Sequence, residues 1–192
     1  MRQPIRLLLT LSCGVALGLG LTWLTVERGH GFGAVRAGPW TAWPRTGSPD
    51  ADPYARAVLA RSGEIPLALA EGLTFTASVD SRGAPLDGAC AYRVTGRLPQ
   101  ARYWTLTLTD ARGRLVDNEA RRHGFVSREV LRDATGAFDM AVGPRVAPGN
   151  WLPSGRPGPF ALALRLYDTP VSATAFALDA ASLPAIERGD CT

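Results

Sequence analysis

The chain has 192 residues, 46% of them hydrophobic, with 21 basic and 17 acidic side chains and a net charge of +4. That apolar content excludes a disordered chain, and the length fits one folded domain once an anchor and a linker are set aside. Every basic residue is Arg, and no run of five like charges occurs, which argues against a nucleic-acid partner.

Residues 1–6 read as a cytoplasmic stub and 7–27 as a transmembrane helix. Leu7 to Val26 is an uncharged run of 20 residues. At about 1.5 Å per residue it spans about 30 Å, the thickness of a bilayer's hydrocarbon core. Arg2 and Arg6 precede the run, and Glu27 and Arg28 follow it. The more positive flank is N-terminal, which predicts a single pass through a bacterial inner membrane with the N-terminus inside and a periplasmic domain. Two alternatives stay open: a cleaved signal peptide, and a lipoprotein signal at Cys13. The apolar run exceeds the usual signal-peptide core of about 7–15 residues, and Thr10-Leu11-Ser12 lacks the Leu expected three positions before a lipidated Cys. Gly14 and Gly18 form a G-x-x-x-G, a spacing through which two membrane helices approach and a homo-oligomer forms; Gly is also simply common in such helices.

Residues 28–51 are rich in Gly and Pro (Gly29, Gly31, Gly33, Gly38, Pro39, Pro44, Gly47 and Pro49) and show no hydrophobic period. They read as an extended tether. Trp40 and Trp43 within it suit either an aromatic belt at the membrane interface or indoles docked on the domain.

The remainder, 52–192, reads as one β-rich extracytoplasmic domain opened by a helix. Asp52 is a good N-cap, Pro53 suits the first helical position, and Gly63 is a plausible stop after Tyr54 to Arg61. The period then changes to two. Leu73, Phe75, Ala77 and Val79 alternate with polar residues, as do Cys90, Tyr92 and Val94; Trp104, Leu106 and Leu108; Phe138, Met140 and Val142; and Phe160, Leu162, Leu164 and Leu166. Such alternation is the mark of antiparallel strands with one buried face. Asp80 to Gly83, Asp110 to Gly113 and Asp133 to Gly136 each place Asp first and Gly fourth, the chemistry of a type I hairpin turn. The fold class is therefore an antiparallel β-sandwich or jelly-roll-like domain. Residues Ala173 to Glu187 are rich in Ala and Leu and suit a short helix.

The chemistry-bearing residues are few. His30 and His123 are the histidines, Cys13, Cys90 and Cys191 the cysteines, and no H-x-x-H or C-x-x-C occurs; a zinc site of ordinary type, or any other metal or cofactor, is not expected. A Ser-His-Asp set would need His123 with Ser127 or Ser81, but no G-x-S-x-G elbow accompanies it. Asp80, Asp87, Asp110 and Asp133 are accounted for by turns, and no spacing selects an acid–base pair. Cys90 and Cys191 suit a disulfide outside the cytoplasm. Arg165 lies mid-strand on the face opposite Leu164 and Leu166, where an Arg either pairs with a carboxylate or lines a pocket. The Arg-rich stretch from Arg112 to Arg132 suits a solvated surface, anionic lipid head groups or an acidic ligand, the first being the expected one.

A set of local motifs carries a family resemblance: Asp80-Ser81-x-Gly83, Leu86-Asp87-Gly88, Tyr92-Arg93, Arg102-Tyr103-Trp104-x-Leu106-Thr107-Leu108, Asp117-Asn118, Gly149-Asn150-Trp151-Leu152-Pro153 and Leu164-Arg165-Leu166-Tyr167-Asp168. In that order the chain resembles the bacterial domain-of-unknown-function family numbered 1214, over about residues 72–170, in its membrane-anchored branch. The resemblance implies a jelly-roll β-sandwich and no settled activity. It implies Asp80, Tyr92, Trp104, Asn118, Asn150, Trp151, Arg165 and Tyr167 as candidate ligand-binding positions. Thr109 departs from it, standing where relatives carry Tyr.

Function thus divides three ways: a membrane-anchored module binding an envelope protein, a glycan or a lipid; an envelope hydrolase or lyase working through carboxylates; and a structural subunit of a homo-oligomer. The first is the expected one, and fold alone does not choose among them.

Overall fold

The structure is a computed structural model and describes residues 2–27, 33–171 and 178–191. Gly29, His30 and Gly31 of the expected tether, and 172–177 of the tail, lie outside the described residues.

Helix α1 (Arg2–Glu27) is long and apolar enough to cross a membrane. Within Gln3–Glu27 an 18-residue window has a mean hydropathy of 1.9, and none of that window is buried against the rest of the chain. Its last residue, Glu27, forms an ion pair with Arg61 of helix α2 (Pro53–Ser62). Asp52 caps α2: its Oδ1 accepts from Tyr54 N at 2.9 Å and Ala55 N at 3.0 Å. Gly63 ends the helix in the left-handed region, where an L side chain would be strained.

The tether reading is corrected from residue 35 onward. Val35–Ala37 (β1) and Trp40–Ala42 (β2) form a small hairpin, and β2 pairs with β3 (Gly72–Ala77). The cause is burial. Trp40 is fully enclosed, its Nε1 donates to Pro184 O at 2.7 Å, and Ala37 and Ala42 are buried beside it. Of the two roles open to Trp40, docking on the domain is the one taken.

The remaining strands are β4 (Cys90–Gly96), β5 (Tyr103–Asp110), β6 (Gly124–Val126), β7 (Phe138–Gly143), β8 (Asn150–Pro153), β9 (Phe160–Tyr167) and β10 (Ala185–Cys191). They form two open, mostly antiparallel sheets: six strands in the order β1-β2-β3-β9-β5-β6, and four in the order β10-β4-β7-β8. Among the described residues only β7 and β8 run parallel. The inward faces share one hydrophobic cluster, to which Phe75, Leu106 and Leu164 come from the larger sheet and Val94, Met140, Leu152 and Ile186 from the smaller. Trp104 stacks on Phe138 at 5.6 Å between the sheets, and Tyr92 meets Phe160 edge-on at 5.6 Å. At about 25 cal/mol per Å² of apolar surface, this shared interior is the main favourable term in the fold.

The three Asp-x-x-Gly turns share one construction. In each, the Asp Oδ1 accepts from the backbone N–H groups two and four residues on: Arg82 and Ala84, Arg112 and Arg114, Thr135 and Ala137. Gly83, Gly113 and Gly136 have φ of 84°, 77° and 81°. A side chain is strained there, so Gly closes each turn at least cost.

Of the stretch 173–187, expected to hold a short helix, 173–177 lie outside the described residues; from 178 on it holds a short 3-10 turn (Ala180–Ser182) followed by β10. Pro184 cannot donate a helical hydrogen bond, and Ile186 instead pairs with Val94 and is fully buried.

Candidate functional site

A concavity of about 870 Å³ lies on the outward face of the four-stranded sheet. Outward positions of β4, β7 and β10 make its floor: Ala91, Arg93, Asp139, Ala141, Glu187 and Gly189. Leu131 to Asp133 form one wall, and the loop from Ala147 to Gly149 with Asn150 at the start of β8 forms another. Small residues along the floor leave the space open, and the Arg93–Asp139 ion pair crosses it. Arg93 Nε donates to Asp139 Oδ1 at 2.9 Å. That donated bond, with the charge beside it, holds the Asp139 carboxyl below its ordinary range.

Two expected positions border this groove. Asn150 is buried and ties its walls together: Oδ1 accepts from Leu131 N at 2.8 Å, and Nδ2 donates to Leu131 O and Asp139 O, each at 2.9 Å. Tyr92 faces the core, and its hydroxyl accepts from Asp87 N at 2.8 Å.

The other expected positions are dispersed. Asp80 is buried in its turn and faces Arg188, whose Nε lies 3.3 Å from Asp80 Oδ2. Trp104 is a core residue. Asn118 closes a loop, accepting from Arg122 N at 3.0 Å and donating to Arg122 O at 2.8 Å. Trp151 is half-buried, with Nε1 donating to Gly143 O at 3.2 Å. Arg165 and Tyr167 lie on the outward face of the six-stranded sheet, away from Asn150 on β8. The positions do not converge on one cavity.

Sequence reasoning did not single out Asp139 or Glu187, and it named Arg132 and Asp133 only in an Arg-rich stretch and a turn, not as a wall beside Asn150. Arg93 and Asp139 sit at outward positions of strands whose period was plain, so an opposite-charge pair across one face was the available signal. The walls carried none, because loop positions have no period.

Catalytic arrangements fare as follows among the described residues. His123 Nδ1 lies 3.0 Å from Val116 O, and Ser81 Oγ accepts from Ile186 N at 2.8 Å. Asp87 bridges Ala89 N at 2.8 Å and Gly158 N at 3.1 Å, and these two bonds hold its carboxyl low. Asp110 is held low by backbone bonds from its turn and by Arg114, and Asp133 by Thr135 and its turn. Each is kept ionised, the opposite of what a general acid needs. No group of three or more His, Cys, Asp or Glu among the described residues could hold a metal ion. Cys90 and Cys191 are joined by a disulfide that ties the end of β10 to the start of β4.

The VPA0106 protein from Vibrio parahaemolyticus, a crystal structure, is similar in fold, with a TM-score of 0.57 at 22% identity over 73% of this chain and 36% of that one. An uncharacterised protein from Burkholderia cenocepacia aligns at 21% identity over 93% of this chain and 52% of that one, with a TM-score of 0.44. The chain thus covers only 36% and 52% of the length of these two structures. No curated protein matches it. A family model described as "Protein of unknown function (DUF1214)" matches residues 71–171, spanning β3 to β9 and both walls of the groove. The chain belongs to that family.

Proposed function

We propose that this protein is a membrane-anchored binding module, with a jelly-roll β-sandwich held at the outer surface of a bacterial inner membrane to engage an envelope protein, glycan or lipid. One observation carries the reading: α1 presents apolar side chains along its length, with none of the 18-residue apolar window within Gln3–Glu27 buried against the domain. Such a surface is costly in water and is satisfied by a bilayer. Arg2 and Arg6 on the N-terminal flank favour an inside N-terminus. The Cys90–Cys191 disulfide favours an oxidising compartment for the domain. Confinement to a surface raises the effective concentration of a binding domain for its neighbours. Gly14 and Gly18 have open space where a Cβ would stand, so a second copy has room to approach there.

The test is fractionation of cells making the intact chain. The reading expects the protein to stay with membranes through alkaline carbonate washing and to leave only with detergent. A variant lacking 2–27 should appear in the aqueous fraction. Release of the intact chain by carbonate would overturn the reading.

A further inference from the structure

The outward face of the six-stranded sheet holds a cation without a counter-ion among the described residues. Arg165 is half-buried at the middle of β9, the strand between β3 and β5. Among the described residues its guanidinium makes no ion pair within 4.0 Å, a distance at which five other arginines do. No hydrogen bond occupies its donors within that set either. Its cross-strand neighbours are Thr74 and Thr105, whose side chains share its face. One pair further along β9, Ala163 lies between Thr76 and Thr107. In the other direction, Tyr167 lies beside Tyr103, their rings 5.9 Å apart and tilted by 48°. None of these Thr or Tyr hydroxyls has a hydrogen-bond partner among the described residues. The face thus offers a planar five-donor fork, a ring of free hydroxyls and two tyrosine rings over a small-residue floor.

A half-buried guanidinium without a carboxylate sits at a positive potential that an anion would relieve. Its fork matches a carboxylate through two parallel bonds. Thr hydroxyls both donate and accept, as a hydroxylated ligand needs, and tyrosine rings offer apolar edges with polar tips. Glu64 lines a small cavity of about 90 Å³ between α2 and β3, together with Thr74 and Thr76, and makes no ion pair with Arg165 among the described residues.

We infer that this face binds an acidic sugar, with Arg165 holding the carboxylate, Thr74 and Thr105 the flanking hydroxyls, and Tyr103 with Tyr167 the body of the ring. The inference rests on the binding-module reading and names the ligand class for it.

The test uses the full chain in neutral phosphatidylcholine nanodiscs, titrated calorimetrically with a galacturonic acid oligomer and, separately, with a neutral glucose oligomer of equal length. The expected result is saturable binding of the acidic oligomer alone, weakened about tenfold or more by Arg165→Gln and less by Arg165→Lys. Arg93→Gln, in the other sheet's groove, should leave binding unchanged. Thr105→Val and Tyr167→Ala serve if Arg165→Gln does not fold, and each should also weaken binding. No saturable binding, equal binding of the neutral oligomer, or full affinity in the Arg165→Gln, Thr105→Val or Tyr167→Ala chains would overturn the inference. If the chain remains in carbonate-washed membranes yet binds no acidic oligomer, this inference alone fails. If it washes off membranes, the anchoring reading fails whatever the titration gives.

Discussion

Asn150 illustrates how a single polar side chain positions a surface. The residue is buried, and its three hydrogen bonds reach from the 131 loop to β7. Replacing it with Ala leaves Leu131 N–H and two carbonyls unpaired, at a cost of about 2–3 kcal/mol. Chemical denaturation of the Asn150→Ala chain in detergent should show that loss, with Trp151→Ala as a half-exposed control. The Asp residues make a second prediction. Asp110 and Asp133 are held below their ordinary value of 3.8 mainly by hydrogen bonds within their turns, and Asp139 mainly by Arg93. A carboxyl lowered in the folded state stabilises fully above its unfolded value, and that contribution is lost as pH falls through the folded value. The melting temperature should therefore be flat from about pH 7 to about pH 5 and fall below about pH 4. Asp133→Asn, which keeps a turn acceptor but cannot titrate, should fall less steeply. A melting temperature that rises on acidification would contradict this assignment.

Element by element, legibility tracked periodicity. β3, β4, β5, β7 and β9 were plain because each alternates over at least three buried positions. The turn aspartates and the Asp52 cap were plain because their chemistry is local. β1, β2 and β6 were not, since strands of three residues contain no measurable period. β10 was hidden for another reason: it is an edge strand with Ile186 as its sole fully buried side chain, so its sequence, Ala185 to Cys191, looks polar. The candidate site was legible only in part. Arg165 stood out as a charge within an alternating strand, whereas the groove arises from loops and from register. Two measurements probe these elements. Trp40→Ala should cost about 3–5 kcal/mol, and a chain beginning at residue 52, lacking β1 and β2, should melt well below one beginning at residue 33. Reduction of Cys90–Cys191, which closes a loop of sequence separation 101, should lower stability by at most about 4–5 kcal/mol; an unchanged denaturation midpoint in reductant would show that β10 holds its place without the bond.

For the whole molecule, the apolar helix, the disulfide and the outward-facing sheets bear on one question, namely which solvent each part meets. A bilayer around α1 leaves α2 close to where the chain leaves the lipid, because Glu27 at the helix end pairs with Arg61. The domain then displays two faces to the surrounding space: the groove crossed by Arg93 and Asp139, and the hydroxyl-lined face around Arg165. Both are useful only if the domain stands where envelope components reach it. The most direct measurement is a pair of reporter fusions at the C-terminus, one to alkaline phosphatase, which becomes active outside the cytoplasm, and one to a fluorescent protein that matures only inside it. The account predicts phosphatase activity and no fluorescence; fluorescence without phosphatase activity would contradict it.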